Sequence, residues 1–156
     1  MHSIEREIIL DTDPEKAWEF LSTPVNLNQL TPPGLHFRIL SEIPGEMYNG
    51  LVILYEIRVP LFGRCRWLTE IKHIRQGVHF IDEQRLGPYK FWYHQHLIEP
   101  FENNKTRMLD RVFYQLPYGI IGRLVHKFWV RSMLEEIFDY RAQRLADLFG
   151  EVTEKL

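Results

Sequence analysis

Turn-forming residues cut the middle of this chain into short runs, and the spacing of those cuts limits the fold more than any other feature. The cuts fall at Pro44-Gly45 with Asn49-Gly50, at Pro60 to Gly63, at Gln76-Gly77, at Gly87-Pro88 and at Asn103-Asn104. Between them lie six runs of strand-like composition, at 35–42, 51–59, 65–75, 78–85, 90–99 and 106–116. The links are too short for parallel pairing, which needs a crossover of about a dozen residues or more. Consecutive strands joined this way form an antiparallel meander.

The flanking segments complete the pattern. Residues 4–10 read as one more strand, with Ile4, Arg6, Ile8 and Leu10 on a common face. Next comes Asp11-Thr12-Asp13-Pro14-Glu15. Thr12 with Glu15 matches a capping box, and Asp13 before Pro14 matches an N-cap with proline in the first turn. On either reading a helix starts here, with Ala17, Phe20 and Leu21 as its apolar stripe and Trp18 beside it. Thr23-Pro24 opens a second short helix carrying Leu27 and Leu30, which Thr31-Pro32-Pro33-Gly34 ends. After Pro117-Tyr118-Gly119, residues 120–149 read as one long helix. Ile121, Leu124, Leu134, Phe138, Arg141 and Leu145 recur there at helical spacing, and Gly150 is a C-terminal stop.

A sheet of seven strands must bury one face, and only the C-terminal helix is long enough to cover it. A curved sheet gripping a helix leaves a gap between them, which is a natural ligand cavity. The expected fold class is therefore α+β: a seven-stranded curved antiparallel sheet wrapped around a long C-terminal helix, with two short helices after the first strand. No linker or internal repeat interrupts the chain, so residues 1–156 are expected to form a single domain.

Composition removes several function classes. The net charge is −2, which gives no general attraction to nucleic acid or to an anionic membrane. Cys65 is the sole cysteine, so an internal disulfide and a cysteine-based metal site are both ruled out. The first residues, Met1 to Glu7, lack the apolar core and cleavage site of a signal peptide. No run of about 18 apolar residues is present, so no transmembrane segment is expected and a cytoplasmic location is the default. A phosphate-binding Gly-rich loop and a Gly-x-Ser-x-Gly elbow are also missing. Cys65 lies between Arg64 and Arg66 with no evident base.

Residues 82–96 carry the most chemistry. They read as a strand end, the Gly87-Pro88 turn and a second strand in which Trp92, His94 and His96 share one face, with Lys90 at its entrance. One tryptophan and two imidazoles in a row suit the wall of a mostly apolar cavity with a few polar groups. In the strand 106–116, Asp110 shares a face with Met108, Val112 and Tyr114. A carboxylate in that setting is a candidate general base or an anchor for a ligand hydroxyl. It is equally a candidate for an ion pair with Arg107, Arg111 or a histidine of a neighbouring strand. If His94 or His96 faces Asp110, the pair would fix the imidazole tautomer.

Two histidines spaced i, i+2 on a strand can ligate a metal, but they need a third ligand. Glu99 falls on the opposite face, so no metal and no cofactor are expected. Gln84 can add an amide donor to the cavity. Tyr55, Trp67, Trp92 and Tyr114 can stack on a ligand or serve as core.

Taken together, these residues resemble the START-like superfamily, also called SRPBCC. It includes birch-pollen-allergen, polyketide cyclase/dehydrase and lipid-transfer proteins. The resemblance covers the whole chain and is to a bacterial branch of small single-domain members. It rests on Leu30-Thr31-Pro32-Pro33, Gly50 with Tyr55, Trp67 with Ile71, Phe80 to Gln84 with Gly87-Pro88-Tyr89, Trp92 to His96, Asp110 with Tyr114 and Pro117, and Gly119 with Gly122. It implies the helix-grip fold and the binding of a hydrophobic small molecule. The expected ligand-contacting set is Tyr55, Trp67, Gln84, Trp92, His94, His96, Asp110 and Tyr114. One rival expectation is a cyclase- or dehydratase-type enzyme using His94, His96 and Asp110 as acid and base. The other is a regulatory or protein-interaction module with a vestigial cavity.

Overall fold

The computed structural model describes residues 1–59, 63–117 and 129–150. Seven strands form one sheet: β1 (His2–Leu10), β2 (Arg38–Ile39), β3 (Leu51–Val59), β4 (Gly63–Arg75), β5 (His79–Leu86), β6 (Phe91–Phe101) and β7 (Lys105–Gln115). Their order is β1-β7-β6-β5-β4-β3-β2, and every pairing is antiparallel. From β2 to β7 each strand pairs with its neighbour in sequence, as the turn signals require. Only β1 joins from a distance, against β7.

Two short helices follow β1. Helix α1 (Pro14–Leu21) begins at Asp13, whose side chain accepts the Glu15 N–H at 2.8 Å. Of the two start signals, Asp13-Pro14 is the one used. Ala17, Trp18 and Leu21 turn inward. A 3-10 turn at Pro24–Asn26 leads into α2 (Leu27–Leu30). Thr31 Oγ1 donates to the Leu27 carbonyl at 2.8 Å near the end of α2.

The long C-terminal helix, α3, runs Arg131–Phe149 among the described residues. Residues 120–128 of the expected helix, and Gly119 and Gly122, lie outside them. Leu134, Phe138, Arg141 and Leu145 form its buried stripe. On the facing strands every even residue from Trp92 to Ile98 and from Thr106 to Tyr114 is buried. This period of two against a period near 3.6 builds the core between sheet and helix. The sheet's other face carries ion pairs such as Arg111 with Glu5 and Arg107 with Glu7.

One expected strand is much shorter than the sequence suggests. Instead of 35–42, only Arg38–Ile39 pairs with β3. Leu35 is spent in a 3-10 turn begun by Pro33, and His36 takes a left-handed φ of 44°. Beyond Ile39, the Leu40 and Ser41 amides both donate to the Leu54 carbonyl, which ends regular pairing. Register shifts between Leu68 and Thr69 and between Lys72 and Arg75 interrupt the β4–β5 ladder, and irregularities of this kind bend a sheet locally.

Candidate ligand cavity and its His–Asp cluster

Strand pairing decides which polar groups meet under α3. His94 and His96 are neighbours on the inner face of β6, with ring centroids 3.8 Å apart. On one side, β5 places Asp82 directly opposite His94. On the other, β7 places Asp110 directly opposite His96. Each carboxylate reaches both imidazoles. Asp82 Oδ2 lies 3.2 Å from His94 Nδ1 and 3.0 Å from His96 Nε2. Asp110 Oδ1 lies 3.1 Å from His94 Nε2 and 2.7 Å from His96 Nδ1. The second Asp110 oxygen accepts from Arg141 Nε at 2.7 Å. Arg141 Nη2 also sits 3.4 Å from His96 Nδ1.

Charge balance in this cluster is tight. Asp82, Asp110 and Arg141 sum to one negative charge when both imidazoles are neutral. Burial alone would push the His94 imidazole down. The Asp82 charge, the hydrogen bonds to Asp110 and Asp82, and the Asp110 charge outweigh it, so its pKa lies above 6.5. A proton there makes the cluster neutral. Burial also opposes ionisation of Asp82, but the neighbouring imidazoles, His94 first, hold its carboxyl well below the usual range. For Asp110 burial is overcome chiefly by Arg141 and then by the two histidines.

A cavity of about 170 Å³ lies between the sheet, α2 and α3. Asp82, His94, His96 and Arg141 line it together with apolar side chains such as Ile53, Leu30, Ile137 and Phe138. Its aromatic wall is built by Tyr55, Trp67 and Trp92. Tyr55 stacks on Trp67 at 5.9 Å, and Trp67 meets Trp92 edge-on at 5.1 Å. The Trp67 indole nitrogen is buried with no hydrogen-bond partner among the described residues. Such an orphaned donor costs on the order of 1–3 kcal/mol.

The expected ligand-contacting residues separate into two groups. Tyr55, Trp67, Trp92, His94 and His96 line the cavity; Gln84, Asp110 and Tyr114 do not. Gln84 is turned into its own hairpin, donating to the Tyr89 carbonyl at 2.6 Å and accepting the Tyr89 N–H at 3.2 Å. Tyr114 packs behind the wall against Tyr89 and Trp92. Asp110 lies behind the imidazoles, and its cationic partner is Arg141 from α3. Arg107 and Arg111 point instead to Glu7 and Glu5.

Two site residues were not singled out by the sequence, Asp82 and Arg141. Asp82 shares inward parity with Phe80, a signal that was available. Arg141 stands as a charged residue within the apolar stripe of α3, which is also a usable signal. Asp82 also stands beside the His94–His96 pair, where the sequence offered only Glu99 on the opposite face. Ligand atoms from Asp82, His94 and His96 all lie within 4.8 Å of one another.

The arrangement of sheet and helix is shared with solved structures. TTHA0849 from Thermus thermophilus is 17% identical, with a TM-score of 0.65 over 94% of this chain and 99% of that one. A START superfamily protein from Mycobacterium smegmatis is 13% identical, with a TM-score of 0.67 over 95% of this chain and 99% of that one. The ginseng major latex-like protein 151 from Panax ginseng is 10% identical, with a TM-score of 0.67 over 95% of this chain and 97% of that one. No protein-family model matches the sequence, and no curated protein matches it. The chain has the helix-grip fold, and its structural neighbours include a START superfamily protein and a major latex-like protein. No helix among the described residues is long and apolar enough to cross a membrane.

Proposed function

We propose that this protein binds a small hydrophobic molecule between the sheet and α3, with the aromatic wall holding its flat part. The observation that carries this reading is the cavity itself: mostly apolar, aromatic on one side, with its charged and imidazole groups gathered at Asp82, His94, His96 and Arg141. A void of about 150 Å³ with apolar walls accommodates benzene. A cavity of about 170 Å³ therefore favours a ligand core of one or two rings.

The acid–base reading is less well supported. Both Asp110 oxygens are already engaged by His94, His96 and Arg141, and Asp110 does not line the cavity. Its geometry is that of a group that orients imidazoles. Native mass spectrometry of freshly purified protein tests the binding reading. A retained small molecule, released on denaturation and richer in carbon than a buffer component, is the expected result. A protein that carries no adduct and takes up none from a panel of one- and two-ring phenols would overturn it.

A further inference from the structure

We propose that Asp82, His94 and His96 form a binding site for one first-row divalent transition-metal ion, open toward the cavity. Four observations converge on it. The three residues come from paired strands, so their positions are fixed by the β5–β6 ladder. The spacings from the carboxylate fit: Asp82 Oδ2 is 3.2 Å from His94 Nδ1 and 3.0 Å from His96 Nε2, and the three ligand atoms lie within 4.8 Å of one another. Metal bonds of about 2.0–2.2 Å to nitrogen and oxygen place neighbouring donors about 2.8–3.6 Å apart.

The outer partners fit as well. Metal-bound imidazoles usually donate their other N–H to a carboxylate or carbonyl, which sets the tautomer. Here both remaining nitrogens, His94 Nε2 and His96 Nδ1, face the same oxygen of Asp110, at 3.1 and 2.7 Å. Arg141 neutralises Asp110 from behind. The fourth observation is charge. Among the described residues no lysine or arginine pairs with Asp82, whose ion-pair partners are the two imidazoles. With neutral histidines that leaves one negative charge on the cavity side of the cluster.

Two imidazoles and one carboxylate leave coordination positions free, the donor set that suits iron(II), zinc and related ions. Those positions would face the apolar cavity and accept a ligand through an anionic oxygen, such as an enolate or a phenolate. The site lies within the cavity of the proposed function but does not depend on any organic ligand. The metal alone is therefore the probe, and failure of one reading leaves the other standing.

The experiment uses untagged full-length protein stripped with EDTA, freed of chelator and titrated with zinc chloride by calorimetry. Cobalt(II) chloride in a parallel titration reports coordination through its visible absorption. The expected result is one equivalent bound with a Kd of about 1 µM or tighter. Asp82→Asn, nearly isosteric, is expected to weaken binding at least about tenfold with its circular dichroism unchanged. Asp110→Asn is expected to keep one equivalent at about 10–100-fold lower affinity. Zinc-dependent shifts of the His94 and His96 ring nitrogens in the unsubstituted protein, followed by 15N NMR, locate the ion without any substitution. Absence of saturable binding, or zinc binding that leaves both ring signals in place, would overturn the proposal. Undiminished affinity in a folded Asp82→Asn variant would do the same.

Discussion

Asp110 and Arg141 join the sheet to the C-terminal helix through one buried contact, with Arg141 Nε 2.7 Å from Asp110 Oδ2 and both side chains less than a tenth exposed. A buried pair of this kind is costly to break one-sidedly, because the remaining charge has no water to solvate it. Arg141→Met keeps most of the packing volume but removes the guanidinium from Asp110, leaving that carboxylate only the two imidazoles. It is expected to destabilise the fold by about 3–5 kcal/mol. Adding Asp110→Asn to that variant should restore part of the loss. Urea denaturation of the two single variants and the double variant gives the coupling energy. Strictly additive losses would show that the two residues do not act as a pair.

The β5–β6 hairpin supplies a second coupling. A Cβ added at Gly87 would collide with the Gln84 side-chain amide. That amide holds both the carbonyl and the N–H of Tyr89. Gly87→Ala is therefore expected to displace Gln84 and cost about 1–3 kcal/mol, the range for leaving such groups unsatisfied. Gln84→Ala should cost a similar amount, and the double variant little more than either alone. Thermal melts of all three check this. A double variant that loses the full sum would separate the two residues.

Alkaline pH acts on the aromatic side of the core. Burial pushes the Tyr89 hydroxyl up, and the neighbouring Tyr114 adds to the effect. Tyr55 is raised well above 10 by burial and then by the Asp82 charge, only partly offset by its hydrogen bond to Thr69. Tyr114 is raised mainly by burial. In the unfolded chain these phenols ionise near 10, while in the folded protein they hold their protons to higher pH. The stability they contribute is complete below about pH 10 and falls as pH rises through the folded values, by up to about 1.4 kcal/mol per pH unit for each group. Absorbance at 295 nm followed with circular dichroism should show these phenols ionising as the protein unfolds. Their reversible titration near pH 10 in folded protein would contradict this expectation.

Cys65 offers a simpler check. Burial pushes its thiol up, so its thiolate is scarcer at neutral pH than that of a free cysteine. Alkylation by iodoacetamide is expected to be slower at pH 7 than for a model thiol, with its rate rising at higher pH. A faster reaction at pH 7 would mean that Arg64 and Arg66 dominate the site instead.

The parts of the molecule governed by local chemistry were legible in the sequence. Turn residues placed the strands, Asp13-Pro14 placed the start of α1, and parity put Trp92, His94 and His96 on one inner face. What could not be read is which residues stand opposite one another. A period of two assigns a face but not a partner. Asp82 meets His94 only because the Gly87-Pro88 hairpin, tied by Gln84, sets the β5–β6 register. Arg141 reaches Asp110 across 31 residues through the docking of α3, which no spacing rule encodes. The strand expected over 35–42 failed for a local reason. Pro33 and the left-handed His36 spend its first residues on a turn.

Whether the space between sheet and α3 holds a small hydrophobic ligand decides the functional reading. Ile137 lines that space from the helix side, and Ile137→Trp would fill it. The unsubstituted protein and this variant can be titrated with 2-naphthol and followed by probe fluorescence, with circular dichroism confirming that the variant is folded. Saturable one-to-one binding is expected for the unsubstituted protein. Binding by the variant is expected to be at least about tenfold weaker, a loss of about 1.4 kcal/mol or more. Equal affinity in both proteins, or no saturable binding by the unsubstituted one, would show that this space is not the ligand site.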